Sequence, residues 1–168
     1  MPYIDLFWFL AGVILFVPTC YFCLQIVMAF FRSEEDTLSS IAILVPAHNE
    51  SNGIGVTLKS LLAQVNEPIS IVVIADNCTD DTAEIARQYG VTVIERQDAL
   101  KRGKGFALDY GMRYLKSLAT PPEVVLIVDA DCWVGDDAIP TLAKQAYTCQ
   151  RPVQALYLMV SPDTSTLK

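Results

Sequence analysis

"VVLIVDADCWV", residues Val124–Val134, begins as an unbroken apolar run and then delivers two carboxylates one residue apart, Asp129 and Asp131. A short, β-branched run of this kind reads as a strand buried on both faces, the habit of parallel sheets. Burying carboxylates is costly, and placing two like charges side by side adds to the cost. The stretch therefore raises two questions: what sheet the strand belongs to, and what the acids at its end are for.

Similar runs recur along the chain. Ile41–Val45 (IAILV), Ile69–Ala75 (ISIVVIA), Val91–Glu95 (VTVIE) and Val153–Val160 (VQALYLMV) each read as strands. Helical stripes separate them. Ile54, Leu58, Leu61, Leu62 and Val65 share one helical face, as do Ile85, Ala86 and Tyr89, with Thr79 as N-cap and Gly90 as the stop. Ala107, Tyr110, Gly111, Tyr114, Leu115 and Leu118 form a third stripe. Ile139, Leu142, Ala143 and Ala146 form a fourth, entered through Asp136 and Asp137, whose charge suits a helix N-terminus. Strand and helix alternate throughout, which predicts an α/β fold with an open, doubly wound, mostly parallel sheet of five strands.

The 168 residues suffice for one such domain. A formal net charge of -7 argues against a nucleic-acid partner, which needs a basic footprint. Mean hydropathy is high, at +0.36. Much of the excess comes from Leu6–Phe31, which carries no charged residue. A bilayer core requires roughly 20 apolar residues, so this run predicts one N-terminal transmembrane helix rather than a buried core helix. A signal peptide fits less well, because Met1–Asp5 contains no Lys or Arg. Arg32 follows the span, which orients the rest of the chain to the cytoplasmic side of a membrane. The expected organisation is a membrane segment over residues 1–32, a linker over 33–39 containing Ser33-Glu34-Glu35-Asp36, and an α/β domain over 40–168. The five cysteines give no disulfide framework, and Cys20 and Cys23 lie inside the apolar run, where packing is the expected role.

Open α/β sheets bind ligands beyond the carboxyl ends of their strands. Three strands send polar residues there: Pro46-Ala47-His48-Asn49-Glu50, Asp76-Asn77-Cys78-Thr79-Asp80-Asp81, and Asp129-Ala130-Asp131. Each alone could cap a turn; together they predict a binding crevice. A divalent cation would offset the repulsion between Asp129 and Asp131. Oxygen ligands suit Mg²⁺ or Mn²⁺, which usually take their remaining ligands from water and substrate phosphates. The pair thus points to a phosphate-bearing substrate. The competing reading is two solvated loop acids.

Four stretches, "IAILVPAHNES", "VVIADNCTDDTA", "RGKGFALDYGM" and "VVLIVDADCWV", occur in the order and near the spacings found in family 2 glycosyltransferases. From about Ile41 to Val160 the chain resembles these inverting enzymes, which have the Rossmann-like GT-A fold and use nucleotide sugars. With its N-terminal span it is similar to the membrane-bound polysaccharide synthases among them. The resemblance implies that Pro46, His48 and Glu50 line the base and ribose, and that Asp76 contacts the base, commonly uracil. It implies that Lys104 approaches the nucleotide or diphosphate, where the plainer reading is a solvated loop cation. Asp129 and Asp131 would hold the metal, Mg²⁺ or Mn²⁺, with Asp129 also at the nucleotide sugar. The family often has a second acid just before Asp76, where this chain has Ala75, and frequently Asn at the place of Asp109. The implied partners are a UDP-sugar donor, a glycan or lipid-linked acceptor, and a membrane.

In the family the catalytic base and a Q-x-x-R-W-type stretch follow the fifth strand. They are therefore expected beyond Lys168, and the catalytic residue is not identified within the chain. The 168 residues are expected to form the donor-binding half, truncated at its C-terminus and inactive in transfer by itself. Two other readings compete. A haloacid dehalogenase-type phosphatase places its D-x-D on the first strand, with Thr or Val where this chain has Trp133. A non-catalytic nucleotide-sugar-binding or interaction module remains the alternative to an enzyme.

Overall fold

The structure, a computed structural model, describes residues 16–26, 40–64 and 69–158. The chain divides into two compact units, Met1–Thr37 and Leu38–Lys168. In the first, residues 16–26 are helical, with Phe16, Val17, Tyr21 and Phe22 exposed. Among the described residues no helix is long and apolar enough to cross a membrane. The remainder of the Leu6–Phe31 run and the acidic linker lie outside them.

Among the described residues the second unit is built on four parallel strands: β1 (Ile41–Ala47), β2 (Ile69–Asp76), β3 (Thr92–Arg96) and β4 (Val124–Ile127), in the order β3-β2-β1-β4. Four helices connect and cover them: α1 (Ile54–Leu62), α2 (Thr82–Gln88), α3 (Lys104–Ser117) and α4 (Ala138–Cys149). The period-two alternation of β1 and β2 explains the layers. Ile43, Val45, Ala47, Ile71 and Val73 face Ile54, Leu58 and Leu61 of α1, Ala86 of α2 and Ile139 of α4. Their alternates Ala42, Leu44, Val72 and Ile74 face Ala107 and Leu115 of α3. The sheet is thus doubly wound, as the alternation of apolar runs and helical stripes predicts.

α3 can approach the sheet closely because it carries Gly111. A Cβ there would lie 2.5 Å from Ile74 Cδ1 and 3.2 Å from Leu44 Cδ2. Gly103, with φ of 115°, supplies a backbone conformation that L residues rarely adopt, just before α3 begins at Lys104.

The chain runs outward from β1 through β2 to β3, then crosses back so that β4 lies on the other flank of β1. The strand order therefore reverses between β1 and β4, which makes this the switch point. The β4 ladder ends at Leu44↔Ile127, whereas β2 accompanies β1 as far as Ala47↔Ala75. Pro46, which lacks an N–H, falls where β1 has lost one of its two neighbours, as proline in a sheet requires.

Three details depart from the sequence reading. Residues 153–158, expected to begin a fifth strand, form no ladder, and Leu156, Tyr157 and Leu158 are exposed. An apolar run specifies burial but supplies no partner edge in register. The helix after β2 starts at Thr82 behind Asp81, not at Thr79. Leu62 is partly exposed at the end of its stripe, and Val65 lies outside the described residues.

Candidate functional site

The loop after β1 is held by the loop after β2. His48 Nδ1 lies 2.7 Å from the Asp76 carbonyl. Asn49 adopts the left-handed region, with φ of 57°, and its Oδ1 accepts the Thr79 N–H at 2.8 Å. The Glu50 N–H donates to the buried Thr82 hydroxyl at 2.8 Å, and the Ser51 N–H donates to Asp80 Oδ2 at 3.1 Å. Asp80 also accepts the N–H and hydroxyl of Thr82. These bonds, that of the Thr82 hydroxyl foremost, hold the Asp80 carboxyl down at about 2. Asp80 and Thr82 thus form a clamp between two strand ends, a role that no periodicity could have revealed.

Asp76, at the end of β2, is buried and makes an ion pair with Arg96, the last residue of β3, at 2.6 Å. Their side chains are 7% and 9% exposed, so this is an internal pair. The Asn77 amide donates to the same oxygen, Asp76 Oδ1, at 3.0 Å. Arg96 reaches Asp98 through its other terminal nitrogen at 3.1 Å. Arg96 carries little signal in the sequence beyond being a cation placed directly after the apolar run Val91–Glu95.

Past β4, the buried Ala130 divides the two acids. Its methyl packs into the core with Ala47 and Ile139, while its carbonyl accepts a buried 2.7 Å hydrogen bond from Thr57. Asp131 is exposed and Asp129 is half-exposed. Lys104, opening α3, forms an ion pair with Asp129 Oδ1. Glu50 Oε2 and Asp131 Cα lie 3.7 and 3.6 Å from the point where a Cβ on Gly53 would sit, so both border the same glycine. Tyr157 Oη lies 3.6 Å from the Cys132 thiol, and that contact, with the charges of Asp131 and Asp129, raises its pKa. Asp109, by contrast, is paired with Arg113 one helical turn on, at 2.9 Å, and is exposed.

The structure therefore pairs Lys104 with Asp129 at the switch point and sets the Glu50 carboxylate and the Asp131 backbone near Gly53. Asp76 and the His48 ring meet at the neighbouring strand ends, and Pro46 lines the β1 flank. No group of three or more His, Cys, Asp or Glu among the described residues is arranged to hold a metal ion. Two outward carboxylates fit a Mg²⁺ or Mn²⁺ ion that takes its other ligands from water and phosphate; they do not fit a closed structural cage. Beside this region, a cavity of about 270 Å³ opens between the loop after β3 and α3, lined by Arg96, Lys101, Phe106 and Tyr110 among others.

An open parallel sheet with acids gathered at its switch point belongs with the α/β proteins that bind ligands beyond their strand ends. Within that class the chain belongs to glycosyltransferase family 2: residues 42–153 match the family described as Glycosyl transferase family 2. It is similar to the 4,4'-diaponeurosporenoate glycosyltransferase of Staphylococcus aureus, 34% identical over 110 residues, which are 63% of this chain and 28% of that enzyme. The chain thus spans under a third of the length of this curated relative. Among solved structures it is similar to glucosyl-3-phosphoglycerate synthase from Mycobacterium tuberculosis in complex with Mn²⁺, UDP and phosphoglyceric acid. That match has a TM-score of 0.54 and 28% identity over 66% of this chain and 39% of the other. The mannosyltransferase PcManGT from Pyrobaculum calidifontis, in complex with GDP-Man and Mn²⁺, shares the fold, with a TM-score of 0.53 and 22% identity over 81% of this chain and 41% of that one.

Proposed function

We propose that this chain carries the donor site of an inverting glycosyltransferase that takes a nucleotide sugar, a UDP-sugar by preference, and passes the sugar to a glycan or lipid-linked acceptor. The observation that carries the reading is the cluster of Asp129, Asp131, Lys104 and Glu50 at the switch point. The UDP and Mn²⁺ bound by the mycobacterial relative support the choice of nucleotide and ion.

In this reading Asp76 accepts a hydrogen bond from the base, while Pro46, His48 and Glu50 line the base and ribose. Asp129 and Asp131 would hold a Mg²⁺ or Mn²⁺ ion, which would supply positive charge against the charge developing on the departing diphosphate. Lys104 adds a positive charge at the same place. An acceptor hydroxyl forms a bond to the anomeric carbon as the bond to the diphosphate oxygen breaks, and the hydroxyl proton passes to a base. That base is assigned to none of the described residues. The apolar Leu6–Phe31 run is proposed to anchor the domain to a membrane, with residues 40–168 on the cytoplasmic side.

Calorimetric titration of UDP into the full chain in detergent, with Mn²⁺ and again with EDTA, tests the reading. Metal-dependent binding is expected. Equal affinity in EDTA overturns the metal assignment, and the lack of binding in both overturns the donor site. Binding without transfer to any acceptor by the full-length protein would favour a nucleotide-sugar-binding module.

A further inference from the structure

β3 is an edge strand with a half-exposed run of side chains, yet its last side chain, Arg96, is 9% exposed. The guanidinium sits in a closed ring of hydrogen bonds. Nη1 donates to Asp76 Oδ1 at 2.6 Å and Nη2 donates to Asp98 Oδ2 at 3.1 Å. The Asp98 N–H donates to Asn77 Oδ1 at 2.8 Å, and Asn77 Nδ2 returns to Asp76 Oδ1 at 3.0 Å. The ring closes on itself through four residues from the ends of β2 and β3.

Two features give the ring a direction. Among the described residues, both side-chain partners of Asp76 fall on Oδ1, which leaves Oδ2 as the oxygen to offer a ligand. Asp98 uses its second oxygen, Oδ1, to accept the N–H groups of Leu100 and Lys101 at 3.0 Å each. Asp98 thereby shapes the turn that leads through Gly103 to Lys104. The Arg96 guanidinium also lies over the Phe106 ring, 5.8 Å from its centroid, and so touches the first turn of α3 itself. A buried ion pair is a poor way to gain stability, because desolvation consumes most of the attraction. A planar fork with several donors is, however, well suited to fixing two carboxylates at once.

We propose that Arg96 is a positioning residue that couples the two ends of the nucleotide site, aiming Asp76 at the base and, through Asp98, setting the loop that carries Lys104 to the diphosphate. This rests on the roles given to Asp76 and Lys104 in the proposed function. In this proposal Arg96 acts through the residues it holds, Asp76 and Asp98. Base recognition and diphosphate placement are then mechanically one event, because neither end can shift without straining the other.

The test compares wild type, Arg96→Lys and Asp98→Asn, each as full chain in detergent, titrated with uridine and with UDP in Mn²⁺. In parallel, trypsin cleavage after the exposed Lys101 and Arg102 reports the loop directly. Asp98→Asn should cut UDP affinity by about tenfold, the worth of one charge-assisted bond, and change uridine affinity by less than about threefold. Arg96→Lys keeps the charge but loses the fork, so it should weaken both ligands. Both variants should be cleaved faster in the loop. A merely structural role would lower stability and leave the ratio of UDP to uridine affinity, and the loop cleavage, unchanged; that result overturns the proposal. If wild type binds neither ligand, the donor-site reading fails, while unchanged loop cleavage in both variants would independently refute the ring's hold on the Lys104 loop.

Discussion

The Thr57 hydroxyl donates to the Ala130 carbonyl at 2.7 Å, inside the core, and so ties α1 to the middle residue of the D-x-D. Thr57→Val keeps the shape and deletes the donor. It strands a buried carbonyl, which costs about 1–3 kcal/mol. Urea unfolding should register that loss, and Mn²⁺-dependent UDP affinity should fall with it. Thr57→Ser restores the donor and should recover most of both.

Asp131 is exposed and, among the described residues, forms no ion pair, so its charge is available to a bound metal. Asp131→Ala should weaken Mn²⁺-dependent UDP binding by about 10–100-fold, the value of a charged contact. Asp131→Asn should recover part of this, because an amide oxygen ligates without the charge. Calorimetry in Mn²⁺ and in EDTA separates the two contributions; an equal loss in EDTA would count against metal ligation.

Gly111 lies where α3 meets Ile74 and Leu44. Gly111→Ala improves helix propensity but overpacks the contact, and overpacking at about 1–3 kcal/mol should outweigh the gain of about 1 kcal/mol. Ile74→Val removes the Cδ1 atom that lies 2.5 Å from the new methyl position. The double variant should therefore be more stable than the two single losses predict, by chemical unfolding.

Asp80 carries its carboxyl at about 2 in the folded protein against 3.8 in the free side chain. A depressed acid contributes stability that is present above its unfolded pKa and lost as the pH falls through the folded one. The clamp should therefore weaken as pH drops from about 4 to about 2. Asp80→Asn should show a shallower fall in stability across that window, measured by urea unfolding at successive pH values.

If the Leu6–Phe31 run anchors the chain, carbonate washing should leave intact protein in the membrane pellet. Removal of residues up to Arg32 should release the α/β domain, because the deleted run is the length a bilayer demands. Recovery of the uncut chain in the carbonate supernatant would refute the anchor.

The sheet and its helices were legible because burial leaves a period. Ile43 and Leu44 face opposite layers as strand alternation requires, and Ile54, Leu58 and Leu61 fall on one helical face. The acids at the strand ends were legible because polarity changes abruptly there. What the sequence did not disclose is what those polar residues do to one another. Asp76 meets Arg96 across 20 positions, and Glu50 meets Thr82 across 32. Such pairings depend on strand order, which periodicity does not encode. The same limit explains Val153–Val160, whose apolar character announced a strand although residues 153–158 have no ladder partner.

β4 ends at Ile127, and the turn beyond it buries Ala130 while leaving Asp129 half-exposed and Asp131 exposed, so the place of the two acids is set by the length of chain between the ladder and that turn. Inserting one residue within Val124–Ile127 would slip the ladder, exchange the strand's inner and outer positions and draw Ala130 from its seat beside Ala47 and Ile139. Inserting two would keep the acids outward but carry them past the flank that β1 leaves open after Leu44. The chemistry of this edge therefore depends on counting as much as on composition: a strand of the wrong length would present the same two aspartates and no site.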